Sequence, residues 1–158
     1  MQKRGPKQCL VGVISDTHGL LREPAVTALK GVDMIIHAGD IGTLEVLEAL
    51  RQVAPVVAVR GNMDGYGWAQ DLPETEMVEL GEVYVYILHD LFHLDIDPHA
   101  SGVQAVISGH THQPAAETKN GVLYLNPGSA GHGRHNRPTT IARLHIDGTT
   151  VTPEFIKL

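Results

Sequence analysis

The chain has 158 residues, 42% of them hydrophobic, which is enough for one compact domain with a real core and short for two independent ones. Twelve basic against eighteen acidic residues leave a formal charge of −6, and no Lys or Arg lies between Arg60 and Lys119 while ten Asp and Glu do, so a broad face for nucleic acid is disfavoured. Cys9 is the only cysteine; it rules out an intrachain disulfide and a thiolate-only zinc site, and suits a reducing cytoplasm.

Lys3, Arg4 and Lys7 precede an apolar run over residues 9–14. That run is too short for the core of a secretion signal, and it ends in Ser15-Asp16 rather than a small-residue cleavage site. No other segment approaches the length of a membrane-spanning helix, and a soluble protein with residues 1–158 in a single domain is the expectation. Residues 10–14 read as a first strand. Pro24 suits the first turn of a helix in which Val26 and Leu29 share a face, and Gly31 ends it. A second strand spans residues 34–37. Leu44, Leu47, Leu50 and Ala54 recur at helical spacing and stop before Pro55, and residues 56–59 make a third strand. This alternation is that of a parallel sheet with crossover helices.

After the polar stretch 65–73, residues 77–80 and 83–88 flank Gly81-Glu82 as a hairpin, and the chain becomes mostly β. Further strands are expected over residues 105–108, 115–119, 122–125, 140–146 and 151–156, with Asn120-Gly121 and Asp147-Gly148 as turns. Residues 91–102 and 131–138 read as surface loops. An α/β sandwich of two sheets follows.

Five segments place metal-ligating residue types directly after an apolar strand: Asp16-Thr17-His18, Gly39-Asp40, Gly61-Asn62, His89 and Gly109-His110-Thr111-His112. The carboxyl ends of parallel strands share one edge of a sheet, so these segments are expected to meet at the rim of a single sheet. If the chain stays extended, the alternate residues of Asp16-x-His18 and His110-x-His112 point the same way and each pair serves one cavity. Gly19, Gly39, Gly61 and Gly109 suit tight turns beside an ion. Oxygen and imidazole donors fit Mn²⁺, Fe²⁺, Ni²⁺ or Zn²⁺. If Asp40 bridges, each of two ions receives four protein ligands from the seven residues. Two ions about 3.5–4 Å apart would clamp the attacking and leaving oxygens of a phosphoryl ester, with the hydroxide they share as nucleophile.

Asp16-x-His18, Gly39-Asp40, Gly61-Asn62-x-Asp64, His89 and Gly109-His110-x-His112 together resemble the signature of the calcineurin-like metallophosphoesterases, over nearly the whole chain. The short YfcE-like phosphodiesterases are the most similar group, and Asn126-Pro127-Gly128-Ser129 strengthens the likeness. The resemblance implies a four-layer α-β-β-α sandwich of two mixed sheets. It implies one ion on Asp16, His18, Asp40 and His112 and another on Asp40, Asn62, His89 and His110, with Mn²⁺ the common activating metal and a small phosphodiester as substrate. Asp16, Asp40, Asn62 and His110 are the residues expected to carry catalysis.

Three positions depart from the family pattern. Met63 stands where a His usually follows the Asn, and it cannot donate a proton to a leaving group, which favours activated or diester substrates. His89-Asp90-Leu91 replaces a His-Gly-His, with His93 nearby. An Arg often follows Asn-Pro-Gly-Ser, and Arg134 and Arg137 both qualify. These departures also motivate an alternative, a non-catalytic scaffold on the same fold like the retromer subunit that resembles this group. His37, His99, His132, His135 and His145 read as structural, Asp64 as a carboxylate that orients a turn or a ligand, and Cys9 as packing. Arg60 is open between pairing with Asp64 and meeting substrate. A homodimer is an expectation from exposed sheet edges alone.

Overall fold

A computed structural model describes residues 8–132 and 137–158. Among the described residues, ten strands form two five-stranded mixed sheets packed face to face. In the first, β1 (Gln8–Ile14), β2 (Met34–His37) and β3 (Val56–Ala58) run parallel, and the hairpin of β9 (Thr140–Asp147) and β10 (Thr150–Lys157) joins antiparallel to β1, in the order β10-β9-β1-β2-β3. In the second, β5 (Val83–Leu88), β6 (Val103–Ile107) and β8 (Val122–Asn126) are parallel, flanked by antiparallel β4 (Thr75–Leu80) and β7 (Ala115–Lys119), in the order β4-β5-β6-β8-β7.

Period-two alternation sets the layers. Val11 and Val13 of β1 face the second sheet and join Ile36, Val85, Ile87, Ile107, Leu125, Ala142 and Leu144 in the central core. Leu10 and Ile14 point the other way, against α1 (Glu23–Leu29) and α2 (Leu44–Arg51). Gly12 lies on that outer face, where the Leu29 side chain takes the space that a Cβ would need. Both helices present a face slightly different from the expected one. In α1 the buried residues are Ala25 and Leu29 rather than Val26 and Leu29, because Leu29 must reach down over Gly12. In α2 Val46 is buried with Leu47 and Leu50 while Leu44 is only half-buried, and Ala54 is buried just beyond the helix. Arg143 of β9 satisfies the end of α1 by donating to the Ala28 and Lys30 carbonyls.

The fourth layer covers the outer face of the second sheet, where Tyr86, Leu88, Val103, Val106 and Val122 form a smaller apolar cluster. It is made by residues 91–102, whose regular structure is the 3₁₀ turn Leu91–His93. Leu94 and Ile96 pack onto the cluster, and the Tyr86 hydroxyl donates to Asp95 at 3.0 Å, so this loop is anchored. The polar stretch before β4 contains a second 3₁₀ turn, Gly67–Asp71, with Ala69 buried. Strand ends differ from the sequence reading by one or two residues. The last hairpin also turns one residue later than expected: Asp147 pairs with Thr150, leaving Gly148 and Thr149 as the loop. Lys3, Arg4, Lys7, Arg134 and His135 lie outside the described residues.

Candidate metal centre

The site forms where the two sheets meet at their carboxyl ends, which corrects the expectation of a single rim. Asp16 and His18 follow β1, Asp40 follows β2 and Asn62 follows β3, all in the first sheet, whereas His89 follows β5 and His110 and His112 follow β6 in the second. The loops continue the pairing of their strands: Asp16 donates its N–H to Gly39 O and His18 to Asp40 O, and on the other side Gly109 donates to His89 O. The His110 N–H crosses between the sheets to Asp16 Oδ2 at 3.0 Å.

Neither two-ligand motif is extended. Asp16, His18, Asp40, His110 and His112 all have positive φ, between 47° and 72°, in the left-handed region that non-glycine residues rarely adopt. The chain therefore coils tightly at each ligand, and it is these turns, not a flat pleat, that aim both side chains of each motif inward. Gly39, Gly61 and Gly109 stand where the surrounding loops leave no space for a Cβ. A Cβ on Gly61 would overlap the Asp40 backbone N and Oδ1, one on Gly109 would overlap Ser15 Oγ, and one on Gly39 would come within 2.6 Å of His89 Nδ1.

All seven predicted residues come together, and two groups have donor atoms within 4.8 Å of one another: Asp16, His18 and His112; and Asp40, His89 and His110. In the first, His112 Nε2 lies 3.3 Å and His18 Nε2 3.7 Å from Asp16 Oδ1. In the second, His89 Nε2 is 3.3 Å from Asp40 Oδ2 and 2.9 Å from Asn62 Oδ1, and His110 Nδ1 is 3.2 Å from the same Asn62 oxygen. Asp40 Oδ2 also faces the first group, 3.7 Å from His18 Nε2. The donors suit divalent cations by chemistry and by their hydrogen bonds. Asp16 Oδ2 accepts from Ser15 Oγ and His110 N, yet buried Oδ1 has no hydrogen-bond partner, and neither has His18 Nε2. Buried polar atoms left so are costly unless an ion meets them. His89 donates Nδ1–H to Ala38 O at 2.7 Å, which orients its Nε2 inward toward Asp40 and Asn62.

Burial opposes ionisation of Asp40, but the hydrogen bond to His89, the Met63 N–H and the nearby histidine charges outweigh it and hold the carboxyl below its usual range. His89 is driven the other way: burial disfavours its charged form, and Asp40, Asp16 and the Ala38 carbonyl more than compensate. His37, fully buried behind the site, is pushed down to about 3 by desolvation and by the neighbouring His89. Its Nδ1 accepts from Gly39 N, so the proton sits on Nε2 and is donated to Thr17 Oγ1, which passes its own to Ile41 O. It is thus a neutral strut between the first two site loops.

Other residues brace the ligands. Asp64 is buried and accepts from the N–H groups of Ile41, Gly42 and Gly61, so it holds the Asp40 and Asn62 loops together without entering either group. Asn126 donates to Gly109 O and Thr111 Oγ1, and Ser129 Oγ donates to Asp16 O. The Asn126–Ser129 loop is therefore a clamp on both sheets' ligands. Arg137 donates to Thr111 O beside it, and Arg60 pairs with Glu74 at 3.0 Å rather than with Asp64. Met63 is exposed. His37 is structural, as expected from the sequence, whereas the role of Ser15 left only one trace there, a hydroxyl immediately before Asp16. A cavity of about 460 Å³ opens beside Asn62 and His89, bordered further by Arg60, Glu74, Asp90 and His93.

Comparison with known proteins shows the family. The calcineurin-like phosphoesterase superfamily domain matches residues 10–149, and the chain belongs to that family of metal-dependent phosphoesterases. It is 33% identical over 163 residues to a probable metallophosphoesterase of Methanothermobacter thermautotrophicus, covering 94% of this chain and 92% of that one. To the phosphodiesterase YfcE of Escherichia coli it is 26% identical over 167 residues, covering 87% and 88%. Among solved structures, an archaeal phosphodiesterase superposes with a TM-score of 0.79 at 28% identity, covering 94% of this chain and 99% of that chain. Vps29 of Entamoeba histolytica in complex with zinc shares the fold, with a TM-score of 0.75 at 24% identity over 94% of this chain and 98% of that one.

Proposed function

We propose that the protein is a phosphodiesterase working with two divalent cations, manganese foremost. The observation that carries this reading is Asp40 Oδ2, which faces His18 of one group and His89 of the other at 3.7 and 3.3 Å, as a shared ligand must. When bound, a cation pair supplies a hydroxide nucleophile from water at neutral pH and neutralises charge on the phosphoryl oxygens. Asp16, His18 and His112 would hold one ion, Asn62, His89 and His110 the other, and Asp40 would serve both. Asp16, Asp40, Asn62 and His110 border the reacting phosphoryl group. The cavity beside Asn62 and His89 takes the alcohol portion of the ester. With Met63 in place of a proton donor, that alcohol must leave with a low pKa, which suits aryl and other activated diesters. The same reading takes residues 1–158 as one domain acting in the reducing cytoplasm that a single cysteine suits, alone or as a homodimer.

The test is hydrolysis of bis(p-nitrophenyl) phosphate by purified protein with Mn²⁺. Activity is expected to require the metal, and Asp40→Ala is expected to lower it by at least about a hundredfold, since the variant loses charge stabilisation at the reacting centre. Undiminished, metal-independent hydrolysis by Asp40→Ala refutes the reading. The exposed Met63 and the fold shared with Vps29 favour a second reading, a metal-binding scaffold without turnover. Tight Mn²⁺ binding with no hydrolysis across a broad panel of diesters would select it.

A further inference from the structure

His110 is among the more exposed of the seven site residues, its side chain 43% accessible, and so the surrounding packing does least to fix its ring. Its two nitrogens have different neighbours. Nδ1 lies 3.2 Å from Asn62 Oδ1, on the side of Asp40 and His89, whereas Nε2 faces Asp90 Oδ2 at 3.8 Å. Asp90 is itself held in place. It follows His89 directly, its Oδ1 accepts the Phe92 N–H at 3.0 Å and its carbonyl accepts from His93 N, so it caps the Leu91–His93 turn with one oxygen and keeps the other turned to His110.

A histidine that gives one nitrogen to a metal ion usually donates the N–H of the other to a carboxylate or carbonyl, which fixes the tautomer, orients the ring and raises the basicity of the ligating atom. His89 already has such a partner in Ala38 O. We infer that Asp90 is the corresponding positioning residue for His110, its Oδ2, now 3.8 Å away, closing to accept Nε2–H when Nδ1 serves as the ligand atom on the Asn62 side. Asp90 thus compensates for the exposure of His110 and sets the affinity of the group formed with Asp40 and His89. This inference rests on the two-cation reading, and it gives the departure at Asp90 a role of its own.

The test compares Mn²⁺ binding to the wild-type chain, Asp90→Asn and Asp90→Glu by calorimetry. Asn preserves the size of the side chain and the oxygen that caps the turn, so a loss in Asp90→Asn reports the carboxylate rather than the fold. The expected result is two sites in the wild type, with one weakened about 10- to 100-fold in Asp90→Asn and the other unchanged. Asp90→Glu should recover part of the loss. A second readout uses Zn²⁺ as a diamagnetic probe: the His110 Nε2–H proton should be protected from exchange in the wild type and lose that protection in Asp90→Asn. Equal affinities in the two proteins, or ligation of His110 through Nε2, overturns the inference while leaving the two-cation reading intact. A wild type that binds no Mn²⁺ removes both.

Discussion

Five of the seven candidate ligand residues lie in the left-handed region, at about 1–3 kcal/mol each, a local cost that a stable chain accepts only where the surroundings enforce it. Here the enforcement is visible atom by atom, in Asp16 Oδ2 held by Ser15 and His110, in Asp40 Oδ1 held by the Met63 N–H, and in the absence of side chains at Gly61 and Gly109. Gly61→Ala should therefore push Asp40 out of place. Its expected signature is a loss of Mn²⁺ affinity of tenfold or more by calorimetry together with a lower melting temperature; unchanged binding would mean that Asp40 is not held by this contact. His37 gives a prediction in pH. Its folded-state pKa of about 3 lies below the ordinary 6.5, so the unfolded chain binds a proton that the folded chain refuses. The stability linked to that difference is complete above pH 6.5 and declines as pH falls towards 3, by roughly 1.4 kcal/mol per unit once well inside the window. Denaturant unfolding of metal-free wild type and His37→Gln should show the wild type more stable at pH 7 and the gap narrowing between pH 6.5 and 4.5. A gap independent of pH would show that His37 is not held neutral.

At the scale of elements, the site is a set of strand-to-loop exits cross-tied by side chains. The loop Asn126–Ser129 shows this best, because one amide reaches both Gly109 O and Thr111 Oγ1 while a hydroxyl three residues on holds Asp16 O. Asn126→Ala leaves a buried carbonyl without its donor and should cost about 1–3 kcal/mol of stability. It should also weaken metal binding through the loosened His110-Thr111-His112 turn; a melting temperature and affinity equal to wild type would remove the clamp from the account. That these seven residues gather in one place was legible in the sequence, because Asp, His and Asn directly after apolar runs are conspicuous residue types. The shape of their turns was not. Nothing in Asp16-Thr17-His18 marks it as left-handed rather than extended, since Asp, Asn and His tolerate that region more readily than β-branched residues but do not require it. Nor could the spacing tell that Asn126 would act as a clamp, for which its partners 15 and 17 residues away must first be brought alongside.

On the scale of the whole molecule, the alternation of strands and helices over the first third identified a parallel half-sheet, and the turn signals after residue 73 identified the β-rich remainder. What remained hidden was that the second half builds its own parallel set, β5, β6 and β8, and lays its carboxyl ends against those of β1, β2 and β3. Apolar alternation specifies which face of a strand is buried but not which sheet it faces, so a single rim was the simpler inference and the shared rim the outcome. This arrangement would make metal binding a whole-fold property, because each candidate group draws residues from both sheets: Asp16 and His18 with His112, and Asp40 with His89 and His110. The most direct measurement of that claim is a crystal grown with Mn²⁺ and recorded at the manganese absorption edge. Two anomalous peaks about 3.5–4 Å apart are predicted, one in each group and with Asp40 touching both. A lone peak, or manganese bound away from these residues, would contradict it.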